Sequence, residues 1–285
     1  MGGWTKFYWD ALEQLYWSPQ YLGLKSIPRR YWESDGDRVS IPREMTNTSG
    51  PLYRRIRFGE EYWGYAKRQE ELFNHIFDLT FAIMPPTEIG HLLGKLTGTD
   101  PGGAFETFGR EIRARYRWPK VANITTPDGF FVSDSAIVSL ELKFGAITSL
   151  DQLGKYLALF IHEERMTGRR EHLLLHYVFP KDAENALAKY FGFAARDLAK
   201  QSPETIIGAA DNRLVKDFLV ENRSELEDVM GRVRLGASNW LEVSEQIALR
   251  IEELEGQGRD PTLARLLEGL HSAIQDHPLS GVPEK

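Results

Sequence analysis

Three charged residues, Asp128, Glu141 and Lys143, have the types and the spacing that hydrolysis of a phosphodiester requires. Two carboxylates can hold a divalent cation, which lowers the pKa of a bound water and neutralises charge on a phosphate. An amine close to them can stabilise the charge that develops during the reaction. The stretch from Thr125 to Tyr156, which contains all three residues, is therefore the candidate centre of the chain.

The residues between these groups predict a β-hairpin that brings them together. Residues 136–143 alternate between apolar and polar side chains, which predicts a strand with Glu141 and Lys143 on one face. Residues 130–132 predict the preceding strand, and the Ser-Asp-Ser sequence between the two strands is typical of a turn. A hairpin folded at this turn would place Asp128 close to Glu141.

Helices and further strands are predicted on both sides of the hairpin. A helix over 102–117 leads into a first strand at 121–125. After the hairpin, Ser149 is expected to cap a helix over 150–165. The nearly continuous apolar run at 172–179 predicts a strand that is buried on both faces of a sheet.

The chain divides into three regions around this centre. Residues 1–100 predict a mostly helical extension packed on the core, with an aromatic helix at 4–17 and a long helix at 59–84. Residues 101–212 contain the hairpin and form the core region. The charged, helical residues 213–285 are interpreted either as an appended lobe or as a helical cover on the same core.

Composition excludes several kinds of site. The chain has no cysteine, so it has no disulfide, no thiolate zinc site and no cysteine nucleophile. No apolar run reaches about 18 residues, so no membrane span is expected, and the cytoplasm is the default location. The net charge of −6 argues mildly against nucleic acid as a partner. Local basic groups at 54–57, 110–120 and 165–170 could still bind phosphate, or they could be ordinary solvated faces.

The ordered set of motif residues resembles the PD-(D/E)XK nuclease superfamily, and its Gln-x-x-x-Tyr helix resembles the RecB-like branch. The residues that carry the resemblance are Pro127-Asp128, Glu141-Leu142-Lys143, Gln152 and Tyr156. The resemblance covers residues 102–180. It implies an α/β fold with a restriction-endonuclease-like αβββαβ core, a mixed sheet flanked by helices, to which this chain adds N- and C-terminal helices.

The resemblance also implies a Mg²⁺ or Mn²⁺ cofactor and a role for each matching residue. The implied catalytic residues are Asp128, Glu141, Lys143 and Gln152. The implied metal ligands are Asp128, Glu141, the backbone carbonyl of Leu142, and Glu106 from the upstream helix, with Glu111 in reserve. Contacts with nucleic acid are expected from Tyr156, Lys155, Arg110, Arg113, Arg117 and Lys120.

These expectations add up to a metal-dependent nuclease that cuts DNA, expected to be an endonuclease. Two alternatives stay open: a catalytically inactive binding module with the nuclease fold, and a nuclease directed at RNA. A homodimer is expected because two strand breaks need two active sites, with the aromatic N-terminal helix as its interface. A protein partner in a larger defence or DNA-processing system is expected by analogy at the level of the fold.

Overall fold

The computed structural model of the protein describes residues 4–5, 8, 70–99, 102–107, 125–145, 148–256 and 260–283. Trp4, Thr5 and Tyr8 are helical. The elements that follow, in chain order, are α1 (Glu70–Ile83), α2 (Pro86–Thr97), β1 (Glu106–Thr107), β2 (Gly129–Val132), β3 (Ala136–Leu142), α3 (Leu150–Thr167), β4 (His172–Phe179), α4 (Ala183–Phe191), a 3₁₀ helix (Ala195–Lys200), α5 (Pro203–Ala209), α6 (Arg213–Glu221), α7 (Arg223–Arg232), β5 (Val233–Asn239), α8 (Trp240–Gly256) and α9 (Pro261–Gln275). Within this described part, no helix has the length and apolarity that crossing a membrane requires.

The strands form one five-stranded mixed sheet in the order β1-β2-β3-β4-β5. β2 is antiparallel to both β1 and β3, whereas β4 is parallel to both β3 and β5. The β2–β3 hairpin pairs Gly129 with Leu140 and Val132 with Ile137. Its turn is closed by a hydrogen bond from the Ser133 N–H to the Ala136 carbonyl, 2.9 Å long. The predicted hairpin and the α/β class are therefore confirmed.

Helices cover both faces of the sheet and create two apolar cores. Ile137 of β3 packs in the core that α3 and helices α4 to α7 form on one face. Val138 and Leu140 pack in the core that α1, α2, α8 and α9 form on the other face. All seven residues of β3 are consequently buried, although the strand alternates between the two cores.

The C-terminal residues belong to this same core. β5 pairs in parallel with β4 over seven registered residue pairs, so the region after 213 supplies an edge strand of the sheet. α8 and α9 then fold over the face that also holds α1 and α2. Of the two interpretations of residues 213–285, the structure thus shows the cover on the common core.

The predicted helix over 102–117 is wrong at its start. Glu106 and Thr107 are strand residues that pair with Val132 and Phe131 of β2. Gly102 and Gly103 precede them with φ of 62° and 89°, a left-handed backbone that a right-handed helix does not contain. The remainder of this helix and nearly all of the strand predicted at 121–125 lie outside the described residues.

Local capping interactions set several helix boundaries. Ser149 accepts a hydrogen bond from the Gln152 N–H and caps α3, as expected. At the start of α8, Asn239 and Glu242 exchange side-chain and backbone hydrogen bonds, both 2.9 Å long. Asn222 ends α6 and turns the chain into α7.

Aromatic packing fixes the chain immediately after β3. The Lys143 N–H donates to the Val178 carbonyl at 2.8 Å, and the Trp240 indole N–H donates to the Lys143 carbonyl at 2.9 Å. The Phe144 ring stacks with Trp240 and with His277, with ring centroids 4.5 and 3.6 Å away. The backbone at the end of β3 is therefore held from both β4 and the C-terminal helices.

The predicted aromatic helix at 4–17 is described only at Trp4, Thr5 and Tyr8, and there it contacts its own chain. The Trp4 indole N–H donates to the Leu266 carbonyl, and the Thr5 hydroxyl donates to the Gly269 carbonyl, both at 3.1 Å. These contacts attach the described part of the helix to α9. They give no support to the use of this face as a dimer interface.

A first prediction concerns Gly90, which lies inside α2. Helix propensity alone favours alanine there by up to about 1 kcal/mol. In the structure, however, a Cβ at this position would lie 2.5 Å from the Gly103 carbonyl oxygen. Gly90→Ala should therefore lower the free energy of unfolding by about 1–3 kcal/mol, measured by urea denaturation.

The matched control is Gly231→Ala in α7, where nothing lies within 4 Å of the added Cβ. This variant should be as stable as the wild type or more stable by up to about 1 kcal/mol. Equal, favourable shifts in both variants would contradict the packing of residues 102–105 against α2.

A second prediction concerns acid stability. Burial lowers the pKa of His176 and of His277 to about 4. In the unfolded chain both imidazoles protonate near their ordinary pKa of about 6.5. Stability present above pH 6.5 should therefore be lost as the pH falls toward 4, by up to about 1.4 kcal/mol per pH unit for each histidine.

The test compares the wild type with His277→Phe, which retains a ring for stacking on Phe144. Unfolding free energies from urea titrations at pH 7, 6, 5 and 4.5 should fall less steeply in the variant. Parallel curves for the two proteins would show that His277 does not carry this pH dependence.

Candidate active site

The candidate site lies where the β2–β3 hairpin opens, at the end of the sheet opposite its turn. Asp128 immediately precedes β2, and its Oδ2 accepts a hydrogen bond of 2.8 Å from the Leu142 N–H at the end of β3. Its Oδ1 accepts from the side-chain amide of Asn74 on α1, at 2.6 Å. The first carboxylate therefore lies against the backbone that follows Glu141, as the hairpin geometry predicts.

Glu141 is the second carboxylate, and three side chains donate hydrogen bonds to it. Lys143 Nζ and Gln152 Nε2 each lie 2.5 Å from Oε1. The Tyr156 hydroxyl donates to Oε2. Gln152 and Tyr156 are one helical turn apart on α3, so they reach the same carboxylate from one face of that helix.

Thr148 orients the amide of Gln152. Its hydroxyl donates to Gln152 Oε1 at 2.9 Å, which directs the amide NH₂ group toward Glu141. Thr148 itself is buried, just before the Ser149 cap of α3. The start of α3 is thus tied to the carboxylate at the end of β3.

The Glu141–Lys143 ion pair is buried. The two residues are 4% and 5% exposed, and a lone charge so placed would cost several kcal/mol. Each offsets the charge of the other, while Gln152 and Tyr156 satisfy the remaining carboxylate lone pairs. Asp128 and Gln152 are only half-buried, so the cluster reaches the surface on their side.

The local negative charge affects the pKa values of the two tyrosines next to Glu141. Burial raises the pKa of Tyr156 well above its usual value, and the negative charges of Glu141 and Asp128 raise it further. Burial and the Glu141 charge likewise raise the pKa of Tyr177, which pairs with Glu141 in the β3–β4 register. Both phenols stay protonated at neutral pH, and Tyr156 lies within the field of both carboxylates.

The donor set suits a hard divalent cation. Asp128 and Glu141 supply carboxylate oxygens, which Mg²⁺ and Mn²⁺ prefer to nitrogen or sulfur. Among the described residues, no three His, Cys, Asp or Glu side chains gather into one group. Mg²⁺ commonly binds through one or two carboxylates and completes its shell with water and substrate phosphate, so a pair is sufficient. The Leu142 carbonyl as a further ligand stays a prediction.

Glu106 does not belong to this group. It lies in β1 opposite Val132, whereas Asp128 precedes Gly129 at the other end of β2. Three residues of strand separate these ends by roughly 10 Å. The expectation that Glu106 is a metal ligand assumed a helix at this place, and the strand overturns it. The reserve candidate Glu111 lies outside the described residues.

The expected contacts with nucleic acid find little support. Tyr156 is fully buried, so it orients Glu141 instead of contacting a ligand strand. Lys155 binds Asp151 at 2.5 Å, one turn earlier on α3. The other four candidates, Arg110, Arg113, Arg117 and Lys120, lie outside the described residues.

The third basic group, at 165–170, is already paired with acidic side chains and carbonyls. Arg165 binds Glu225, and Arg169 binds Asp228 at 2.8 Å. Arg170 donates to the backbone carbonyls of Ser133, Thr167 and Gly168. Of the two interpretations of this group, the structure favours ordinary paired surface residues over a phosphate site.

Sequence reasoning missed Asn74, Thr148 and Tyr177. Asn74 is a polar residue on the broad apolar side of α1, between Phe73 and Phe77, which is the one sign that it has a buried partner. That partner, Asp128, is 54 residues away, so no spacing rule connects the two. Thr148 and Tyr177 could have been found only from the strand pairing and the start of α3.

Comparisons of the chain with protein-family models, with curated proteins and with solved structures found no match. The likeness to the PD-(D/E)XK superfamily therefore depends on the motif residues themselves. The chemistry available to the site follows from the arrangement of Asp128, Glu141, Lys143, Gln152 and Tyr156.

The hydrogen bonds of Glu141 generate a third prediction. Tyr156→Phe removes a donor from a buried carboxylate and should lower the free energy of unfolding by about 1–3 kcal/mol. Tyr177→Phe is the matched control, because the Tyr177 hydroxyl is equally buried. Thr148 is close to this hydroxyl, but no described residue makes a hydrogen bond of good geometry with it. Removing the Tyr177 hydroxyl should therefore change the free energy of unfolding only slightly.

Both variants are compared with the wild type by urea denaturation at pH 7. The difference between them isolates the hydrogen bond, since each substitution deletes one hydroxyl from a buried ring. Equal losses in the two variants would mean that the Tyr156 hydroxyl contributes nothing specific to Glu141.

Proposed function

We propose that this protein is a divalent-metal-dependent nuclease that hydrolyses phosphodiester bonds of DNA. One observation carries the proposal: Asp128 and Glu141, separated by a hairpin, come to one end of the sheet together with the Lys143 ammonium. Gln152 and Tyr156 of α3 both donate hydrogen bonds to Glu141, which supports a role for the Gln-x-x-x-Tyr helix in orienting this carboxylate.

The order of elements around the site supports the proposal. Among the described residues, the β2–β3 hairpin is followed by α3 and then by β4, which is parallel to β3. This order agrees with the later part of the αβββαβ core that the resemblance implies, whereas most of the helix and first strand predicted before it lies outside the described residues. The strand that carries Glu141 is central in the sheet, so its position is fixed by pairing on both sides.

Each residue of the cluster has a chemical task in this proposal. A divalent cation held by the two carboxylates would supply a water of lowered pKa and offset the charge of the scissile phosphate. Asp128 is prevented from rotating by donors on both of its oxygens. Gln152 and Tyr156 fix the Glu141 carboxylate in the same way.

Lys143 is the residue whose hydrogen-bond partner would change when the metal ion and substrate bind. In the structure its ammonium neutralises Glu141 at 2.5 Å. A divalent cation held by the carboxylates would offset the charge of Glu141, and the Lys143 ammonium could then donate to a phosphate oxygen instead. The half-buried side of the cluster, at Asp128 and Gln152, is where the phosphate would approach.

A second candidate function is a binding module that retains this fold without catalysis. The burial of Glu141 and Lys143 favours it, because the pair is internally satisfied and contributes to folding without any ligand. The same cluster would then act as a structural ion pair. Binding of a divalent cation separates the two candidates, since only the nuclease requires it.

A fourth prediction tests the activity. Purified protein should cleave DNA with Mg²⁺ or Mn²⁺ and stop when EDTA is added. Lys143→Met and Asp128→Asn should each reduce the cleavage rate by about 10²-fold or more, because each removes charge stabilisation from the transition state. Lys200→Met, which breaks only a surface ion pair with Asp197, should cleave like the wild type.

The assay uses supercoiled, linear and single-stranded DNA, together with RNA, so that it also determines the substrate. Circular dichroism establishes that each variant is folded, and Asp128→Asn provides a nearly isosteric change should Lys143→Met unfold. Full activity in both folded site variants would refute the assignment. A folded wild type that binds no Mn²⁺ and cuts none of these substrates would favour the binding module.

A further inference from the structure

Asn74 is a polar residue that α1 buries beside the candidate site. It is 9% exposed, and its amide nitrogen donates to Asp128 Oδ1 at 2.6 Å. Its neighbours Phe73, Ile76 and Phe77 are all buried in the core below it. The amide group is therefore held in place by the packing of the whole helix.

Gly129 allows α1 to come this close to the site. A Cβ at Gly129 would lie 3.1 Å from the Phe77 ring and 2.9 Å from the Phe131 ring. Phe77 is one turn along α1 from Asn74, so the missing side chain lets that turn pack directly on the start of β2. The contact between Asn74 and Asp128 is thus a consequence of how the helix and strand pack.

The carbonyl oxygen of Asn74 lacks a partner. It is buried, and no described residue donates a hydrogen bond to it. A buried amide oxygen without a partner is unfavourable, and native structures usually satisfy such groups with water, an ion or a protein donor. This oxygen belongs to the same planar amide group that binds Asp128, so it lies beside the Asp128 carboxylate.

We propose that Asn74 is part of the cation site, where its amide NH₂ positions Asp128 and its carbonyl oxygen is a third side-chain oxygen in the shell of the bound cation. The inference rests on the proposed function, because it assumes that Asp128 and Glu141 bind a divalent metal ion. Amide carbonyl oxygens are hard donors of the kind that such ions accept. Three parts of the chain, α1, the residue before β2, and β3, would then contribute one oxygen-bearing side chain each.

The test is a calorimetric titration of the full chain with Mn²⁺ alone. Asn74→Leu has a similar volume but no oxygen, and it should bind Mn²⁺ about tenfold more weakly than the wild type. Asn74→Asp keeps an oxygen at the same place and adds a negative charge, so it should bind Mn²⁺ about tenfold more tightly. Without metal, Asn74→Asp should unfold at a lower temperature, because two adjacent carboxylates repel each other, and Mn²⁺ should reverse this loss.

The matched control is His75→Asp, which adds a charge to the adjacent, exposed position of α1. It should leave the affinity for Mn²⁺ unchanged. If Asn74→Asp and His75→Asp tighten binding alike, general electrostatics explains the effect and the inference fails.

Two further outcomes would also overturn the inference. Equal weakening in Asn74→Asp and Asn74→Leu would mean that Asn74 only positions Asp128, and unchanged affinity in both would mean that it has no role in the site. Either result leaves the proposed nuclease intact, provided that the wild type binds Mn²⁺ and cleaves DNA. A wild type that binds no Mn²⁺ overturns the inference together with the proposed function.

Discussion

The buried carboxylate of Glu141 is the constraint on which the rest of this structure depends. A negative charge at 4% exposure is tolerable only when it is paired and hydrogen-bonded, and here Lys143, Gln152 and Tyr156 do both. The donors come from the end of β3 and from one face of α3. Strand and helix must therefore meet at this point, which fixes how the chain crosses from β3 to β4.

The interactions of Glu141 stabilise the fold, and in the proposed function they also prepare the site for catalysis. Without a cation, the ammonium of Lys143 offsets the charge of Glu141 and stabilises the fold. A divalent cation would take over that task and release the ammonium for the phosphate. Preorganisation comes from the neighbours: Asn74 and the Leu142 N–H fix Asp128, while α3 fixes Glu141. Little rearrangement would be needed on binding, which is how fixed dipoles contribute most to catalysis.

Local patterns predicted the elements that carry the site, and long-range packing decided the rest. Alternation over β3 placed Glu141 and Lys143 on one face, and Ser149 marked the start of α3. The sequence could not indicate that this face is covered, because burial depends on where α3 and the C-terminal helices pack. Nor could it indicate that β1 replaces the start of a predicted helix, or that Asn74 reaches Asp128 across 54 residues. Those features follow from contacts between distant elements, which no period in the sequence encodes.

A crystal structure of the protein grown with Mn²⁺ would test the central claim most directly. The account predicts one anomalous-difference peak within about 2.3 Å of carboxylate oxygens from both Asp128 and Glu141, with Lys143 Nζ withdrawn from Glu141. The contradicting result is a structure in which no peak lies between the two carboxylates at saturating Mn²⁺. Glu141 would then still bind Lys143, Gln152 and Tyr156, and the cluster would be a structural ion pair.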